Sequence, residues 1–227
     1  MYNRRFRFLI LLIIVPAIIG AGTFIFEDRK YVLLSFVMVG MTLLTFILSF
    51  ERKGSNTRYM IVIAVLTALS VLGRFLFAAL PGFKPVAAVV ILTAVYFGSE
   101  AGFLVGALTA FISNIYFGHG PWTPFQMFAW GIIGLIAGLP WIRLMLQKYK
   151  WMIVMMGLFA GVLFSLLMDF WTVLSIDSAF NMRRYWTAIG FSLPFMALYA
   201  FSNVIFLFIT VKPVGKVLER LKKKYGV

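Results

Sequence analysis

Few side chains in this sequence could do chemistry, and their scarcity narrows the field. There is one histidine, His119, and no cysteine, while the seven acids are Glu27, Asp28, Glu51, Glu100, Asp169, Asp177 and Glu219. No HExxH, paired-carboxylate motif or P-loop occurs, so intrinsic ATP hydrolysis, metal-dependent proteolysis and thiol catalysis lack their residues. A lone histidine cannot make a metal site, and His119 reads first as a loop residue with an ordinary hydrogen bond, second as a ligand contact. More telling are polar groups set in apolar surroundings, where contact with lipid is costly. They are Arg74, Asn114, Gln126 and Asp169.

The chain that carries them is built for a membrane. It has 227 residues, 63% hydrophobic and only 12% charged. Runs of about 18–25 residues nearly free of charge suit a hydrocarbon core of roughly 30 Å. Eight spanning segments are expected, over 8–26, 31–50, 59–80, 84–98, 101–117, 122–142, 151–176 and 188–211. The first resembles a signal peptide, but its apolar run is long and a second follows after only "EDRK", so it reads as a retained span. The fourth is short, and charge placement argues that it crosses. With eight crossings, Arg52, Lys53, Arg58, Arg143, Lys148, Lys150 and the tail from Lys212 to Lys224 join the basic N-terminus on the cytoplasmic side. Both termini are then cytoplasmic. The net charge of +14 belongs to this topology and to lipid head groups, with no nucleic-acid partner implied. The tail itself reads as a short basic helix.

With helix directions alternating, Arg74, Asn114, Gln126 and Asp169 fall at similar depth toward the extracytoplasmic side, which suggests a pocket opening outward. A purely structural role would be an Arg74–Asp169 ion pair with amide bonds fixing the helices. Asn203 lies deeper and reads as a packing residue. Three outer connections strengthen the pocket: "LPGFK" with Phe83, "FGHGPWTP" with His119 and Trp122, and "IDSAFNMRRYW" with Asn181, Arg184, Tyr185 and Trp186. An interfacial aromatic belt would explain the aromatics singly. It would not explain Asn181, Arg183 and Arg184 held outside against the charge bias.

Small residues recur four apart: Ala64 and Ala68, Gly102 and Gly106, Gly134 and Gly138, Gly157 and Gly161. Such faces let helix backbones approach closely, and internal packing is their default use.

From "AVLTALS" onward the pattern resembles the S components of energy-coupling factor (ECF) transporters. The Gly-rich hairpin running into "GHGPWTPFQMFAWG", with Trp130, is most similar to the cobalamin-type subgroup. The resemblance implies a six-helix S-component-like bundle over 59–212, preceded by two additional transmembrane helices in 1–58 and followed by a basic tail, 213–227. It implies a multi-pass subunit of the bacterial cytoplasmic membrane that is not an enzyme and holds no cofactor. Its partners would be a transmembrane coupling protein, met through Ala64 and Ala68, and two cytosolic ATPase subunits that alone use ATP. Its ligand would be a vitamin, cobalamin or a related corrinoid first, held under the three outer connections. The alternatives are an S component for another micronutrient, or a membrane enzyme or assembly factor.

Overall fold

A computed structural model describes residues 57–177 and 181–225, together with the single positions 13, 14, 17 and 37. The two helices expected over 8–26 and 31–50 lie outside the described residues. The rest is helical: α1 (Thr57–Leu76), α2 (Val86–Phe97), α3 (Ser99–Phe117), α4 (Trp122–Ala137), α5 (Pro140–Lys148), α6 (Lys150–Asp177) and α7 (Met182–Tyr225). Among the described residues, α1, α3, α6 and α7 are each long and apolar enough to cross a membrane, and α4 with α5 would make a fifth span if counted as one. This is an all-α membrane bundle.

At its centre stands α2. Twelve residues rise only about 18 Å, short of the hydrocarbon thickness, yet ten of the twelve are buried. A helix apolar on every side belongs in a core. Its last carbonyls are not left bare: Arg143 Nη2 donates to Tyr96 O (3.3 Å) and Gln147 Nε2 to Val95 O (3.2 Å). Both donors come from α5. Gly98, at φ +100°, then reverses the chain into α3, a backbone conformation that favours glycine.

The segment expected as one helix over 122–142 is two. Gly138 and Pro140 end α4, and α5 sets off at 72° to it. Proline suits the first position of a helix, where its missing N–H costs nothing. Only Leu146 of α5 is buried, while Trp141, Leu144 and Met145 are exposed. At the other end, the tail expected as a separate helix from Lys212 continues α7 without a break, through Pro194 and Pro213, for 44 residues. That is about 66 Å.

The glycine pairs do what their spacing suggests. A Cβ on Gly102 would lie 2.9 Å from Gly134 Cα, and one on Gly106 would strike the Trp130 carbonyl. So α3 and α4 touch backbone to backbone. Gly161 admits the backbone of Ala200 in the same way, and Gly157 that of Val204, joining α6 to α7, the most extensive packing in the bundle. Ala64 and Ala68 differ. They lie on the exposed side of α1 with Ile61, Val65, Leu69 and Leu72, opposite the buried Val62, Ile63, Leu66 and Ser70.

Candidate functional site

Arg74 sits in the last turn of α1 with 8% of its surface exposed. Its Nη1 donates to Ser113 Oγ and, at 2.7 Å, to Asn114 Oδ1 on α3. Asn114 Nδ2 in turn donates to Thr123 Oγ1 (3.0 Å) and Gln126 Oε1 (2.9 Å) at the start of α4. Thr123 also receives the Gly120 N–H at 3.2 Å. Every donor and acceptor on the Asn114 side chain is thereby used, and Gln126 is oriented with its carbonyl toward Asn114 and its NH₂ elsewhere. One amide thus ties three helices and the 118–121 connection together.

Aromatic faces frame the guanidinium. Its carbon lies 4.6 Å from the Phe117 ring centre and 5.0 Å from that of Trp130. Trp130 stacks on Phe164 of α6 (5.4 Å, 14°), and Phe164 meets Tyr199 of α7 edge-on at 5.2 Å. Arg74, Gln126, Trp130, Phe164, Tyr199 and Asn203 surround a cavity of about 40 Å³, with Lys84 at its edge. That is room for very few water molecules. Asn203, expected only to pack, both lines this cavity and donates to Gly157 O at 3.4 Å.

Neither Arg74 nor Lys84 has an acidic partner among the described residues; the ion pairs there are Arg184–Asp177 and Lys223–Glu219. Arg74 Nε is buried with no hydrogen bond at all. A buried charge without a counter-charge is costly, so this guanidinium is an electrostatic demand built into the site. Lys84 has its backbone fastened to α7: its N–H donates to Ser202 Oγ (2.9 Å), and the same hydroxyl donates to Lys84 O (3.3 Å).

The other expected residues divide. Asp169 does not pair with Arg74; its carboxylate accepts from Ser192 Oγ at 2.5 Å, between α6 and α7. Tyr185 donates to Leu166 O (3.2 Å). Arg184 Nε reaches Asp177 at 2.7 Å, while Asn181 Oδ1 accepts from the Arg184 N–H at the start of α7. These groups tie α6 to α7 rather than line the cavity. Trp186 is 65% exposed. Trp122 lies over Gly120 and meets Trp171 edge-on at 6.0 Å. Phe83 packs on Phe77 and Phe206. His119 stands 5.2 Å from the Phe111 ring, with Nδ1 buried and unpartnered, and burial lowers its pKa. So the cavity unites Arg74, Gln126 and Trp130 with Asn114 behind them. Lys84, Phe164, Tyr199 and Asn203 join them without having been expected.

A buried polar patch with aromatic walls thus lies among helices long and apolar enough to cross a membrane. The family model of the ECF-type riboflavin transporter, S component, matches residues 54–220, and the chain belongs to that family. It is therefore the substrate-capture subunit of an ECF-type importer, a transporter component rather than an enzyme, working in the membrane with a transmembrane coupling protein and two ATPases. The matching description carries riboflavin where the sequence pattern had suggested cobalamin. No curated protein and no solved structure matches the chain.

Proposed function

We propose that the cavity around Arg74 is the capture site, that it faces the extracytoplasmic side, and that its substrate is riboflavin or a close flavin relative. The observation that carries this is the pairing of flat walls with polar edges. Trp130, Phe164 and Tyr199 offer faces for a planar ring system, while Arg74, Lys84, Gln126 and Asn203 offer donors to ring carbonyls and ring nitrogens. The family's own description points to the same ligand. An orphaned guanidinium N–H suits an electron-rich ring edge, since its binding would satisfy a group that now has no partner.

At about 40 Å³ the cavity must widen for any vitamin. The 77–85 connection is the natural part to move, because it carries Lys84 and meets α7 through the Ser202 hydroxyl and through ring contacts of Phe77 and Phe83 with Phe206 that can slide. A corrinoid would demand far larger displacement than a flavin, which weighs against the cobalamin expectation.

The test is titration of the purified full chain with riboflavin, followed by quenching of flavin fluorescence, beside cyanocobalamin followed by tryptophan emission. Saturable riboflavin binding without cobalamin binding is expected. Cobalamin binding without riboflavin binding would reverse the assignment. Uptake of labelled riboflavin by cells should require the coupling module and its ATPases.

A further inference from the structure

At the basic end of the bundle, away from the capture site, a groove of about 1030 Å³ runs between α2, α5, α6 and α7. It shares no residue with the cavity around Arg74. Its two ends differ sharply in chemistry. Ile91, Leu92, Val204 and Phe208 line one end, from the apolar stretches of α2 and α7. Arg143, Lys150, Lys212, Lys222 and Lys223 line the other, against a single carboxylate among the described residues, Glu219, which lies 2.8 Å from Lys223.

We propose that this groove binds an anionic phospholipid, with acyl chain along the apolar end and phosphate among the cations. Three observations select that occupant. The apolar end lies on helices that run inside the bilayer, where hydrocarbon chains are what the surroundings supply. The cationic excess at the rim favours an anionic over a zwitterionic headgroup, as at other basic pockets between membrane helices. The surroundings also match headgroup depth: α5 turns away at 72° with Trp141, Leu144 and Met145 outward, and Trp151 follows at the start of α6. An exposed tryptophan on a short amphipathic helix, with a second at the start of the next helix, is what an interfacial element presents. Arg143 is already placed by its bond to Tyr96 O, so part of its ordering cost is met before the lipid arrives. Bound there, the lipid would bridge α5 to the last turns of α7.

The experiment uses the full chain in detergent, with phosphatidylglycerol and phosphatidylcholine of identical acyl chains, and native mass spectrometry as readout. One double variant, Lys150→Gln with Lys212→Gln, removes two groove charges. A control, Lys216→Gln with Arg220→Gln, removes two charges that lie outside the groove on the exposed side of α7. Phosphatidylglycerol should be retained roughly tenfold or more over phosphatidylcholine. That preference should vanish in the groove variant, survive in the control, and persist in millimolar inorganic phosphate. Phosphatidylglycerol should likewise raise the melting temperature of the wild type and control but not of the groove variant. Equal retention of the two lipids, equal loss in both variants, or displacement by inorganic phosphate would each overturn the proposal.

Discussion

Arg74 Nη1 and Asn114 Oδ1 lie 2.7 Å apart although 40 positions separate them in sequence. That bond joins the last turn of α1 to the last turn of α3, and between the rings of Phe117 and Trp130 it leaves a positive charge with no acid beside it among the described residues. Such a buried charge adds little net stability, because the cost of taking it out of water offsets much of what its hydrogen bonds return. Under the proposed function its value lies in recognition.

Replacing Arg74 by Met should therefore separate folding from binding. Thermal stability is expected to fall by no more than about 1–3 kcal/mol, the cost of the acceptor left unmade on Asn114, while riboflavin affinity falls by about 1.5–3 kcal/mol, the usual worth of a charged hydrogen bond. Arg74→Lys should not restore affinity, since an ammonium cannot reproduce a planar fork between two rings. Paired melting curves and fluorescence titrations decide it; a larger loss of stability for Arg74→Met would return the residue to a packing role.

Aromatic truncations should rank by burial. Trp130→Ala removes a wall of the cavity and should weaken binding by on the order of 2 kcal/mol or more. Trp186→Ala, 65% exposed, should leave affinity unchanged, and Trp122→Ala should fall between them. Binding isotherms for the three variants check the order.

Ser202→Ala would strip the Lys84 backbone of both its hydrogen bonds to α7. An unmade pair of bonds to a partly buried backbone costs about 1–3 kcal/mol, and the connection that carries Lys84 should detach more readily. Faster flavin association and dissociation are expected in stopped flow, together with a lower melting temperature.

Ala64→Trp and Ala68→Trp should abolish coupled uptake while leaving binding by the isolated chain nearly intact, because both alanines are exposed on α1. Bulk added there has nothing within the described bundle to strike. Equal loss of binding and uptake would place these alanines against part of the chain itself.

His119 gives a pH dependence. Burial lowers its pKa in the folded chain, so the unfolded chain binds the proton more readily, and stability should fall as pH drops through about 6.5. His119→Asn should flatten that slope in melting curves taken between about pH 5 and 7.5, the interval in which an ordinary histidine titrates.

Depth along a helix is legible in a membrane sequence, whereas direction around its axis is not. Span lengths and charge bias placed Arg74, Asn114 and Gln126 at one level, and the structure joins all three. The same reasoning put Asp169 with them, but that carboxylate turns to Ser192 on α7. Phe164 and Tyr199 left no signal, because an aromatic residue is unremarkable in a chain that is 18% aromatic. Lys84 entered only as the last residue of the outer connection "LPGFK". The break before α5 was written in Gly138 and Pro140, yet the apolar run across them suggested a single span. The tail's fusion with α7 was hidden by Pro213, which reads as an end of helix and proves to be an interior residue.

Because α7 is one helix, the positions of Tyr199 and of the basic residues from Lys212 onward are not independent variables. Asn203 and Tyr225 are separated by about 33 Å of continuous helical rise, so a tilt of about 5° at the capture site would carry the far end through ~3 Å. Pro194 and Pro213 interrupt the backbone ladder, and any bending of the helix would concentrate at those two points. The helix is then a lever of three stiff lengths whose middle length carries Tyr199, Ser202 and Asn203, and Pro213 sets how much of any tilt reaches the membrane surface beyond it.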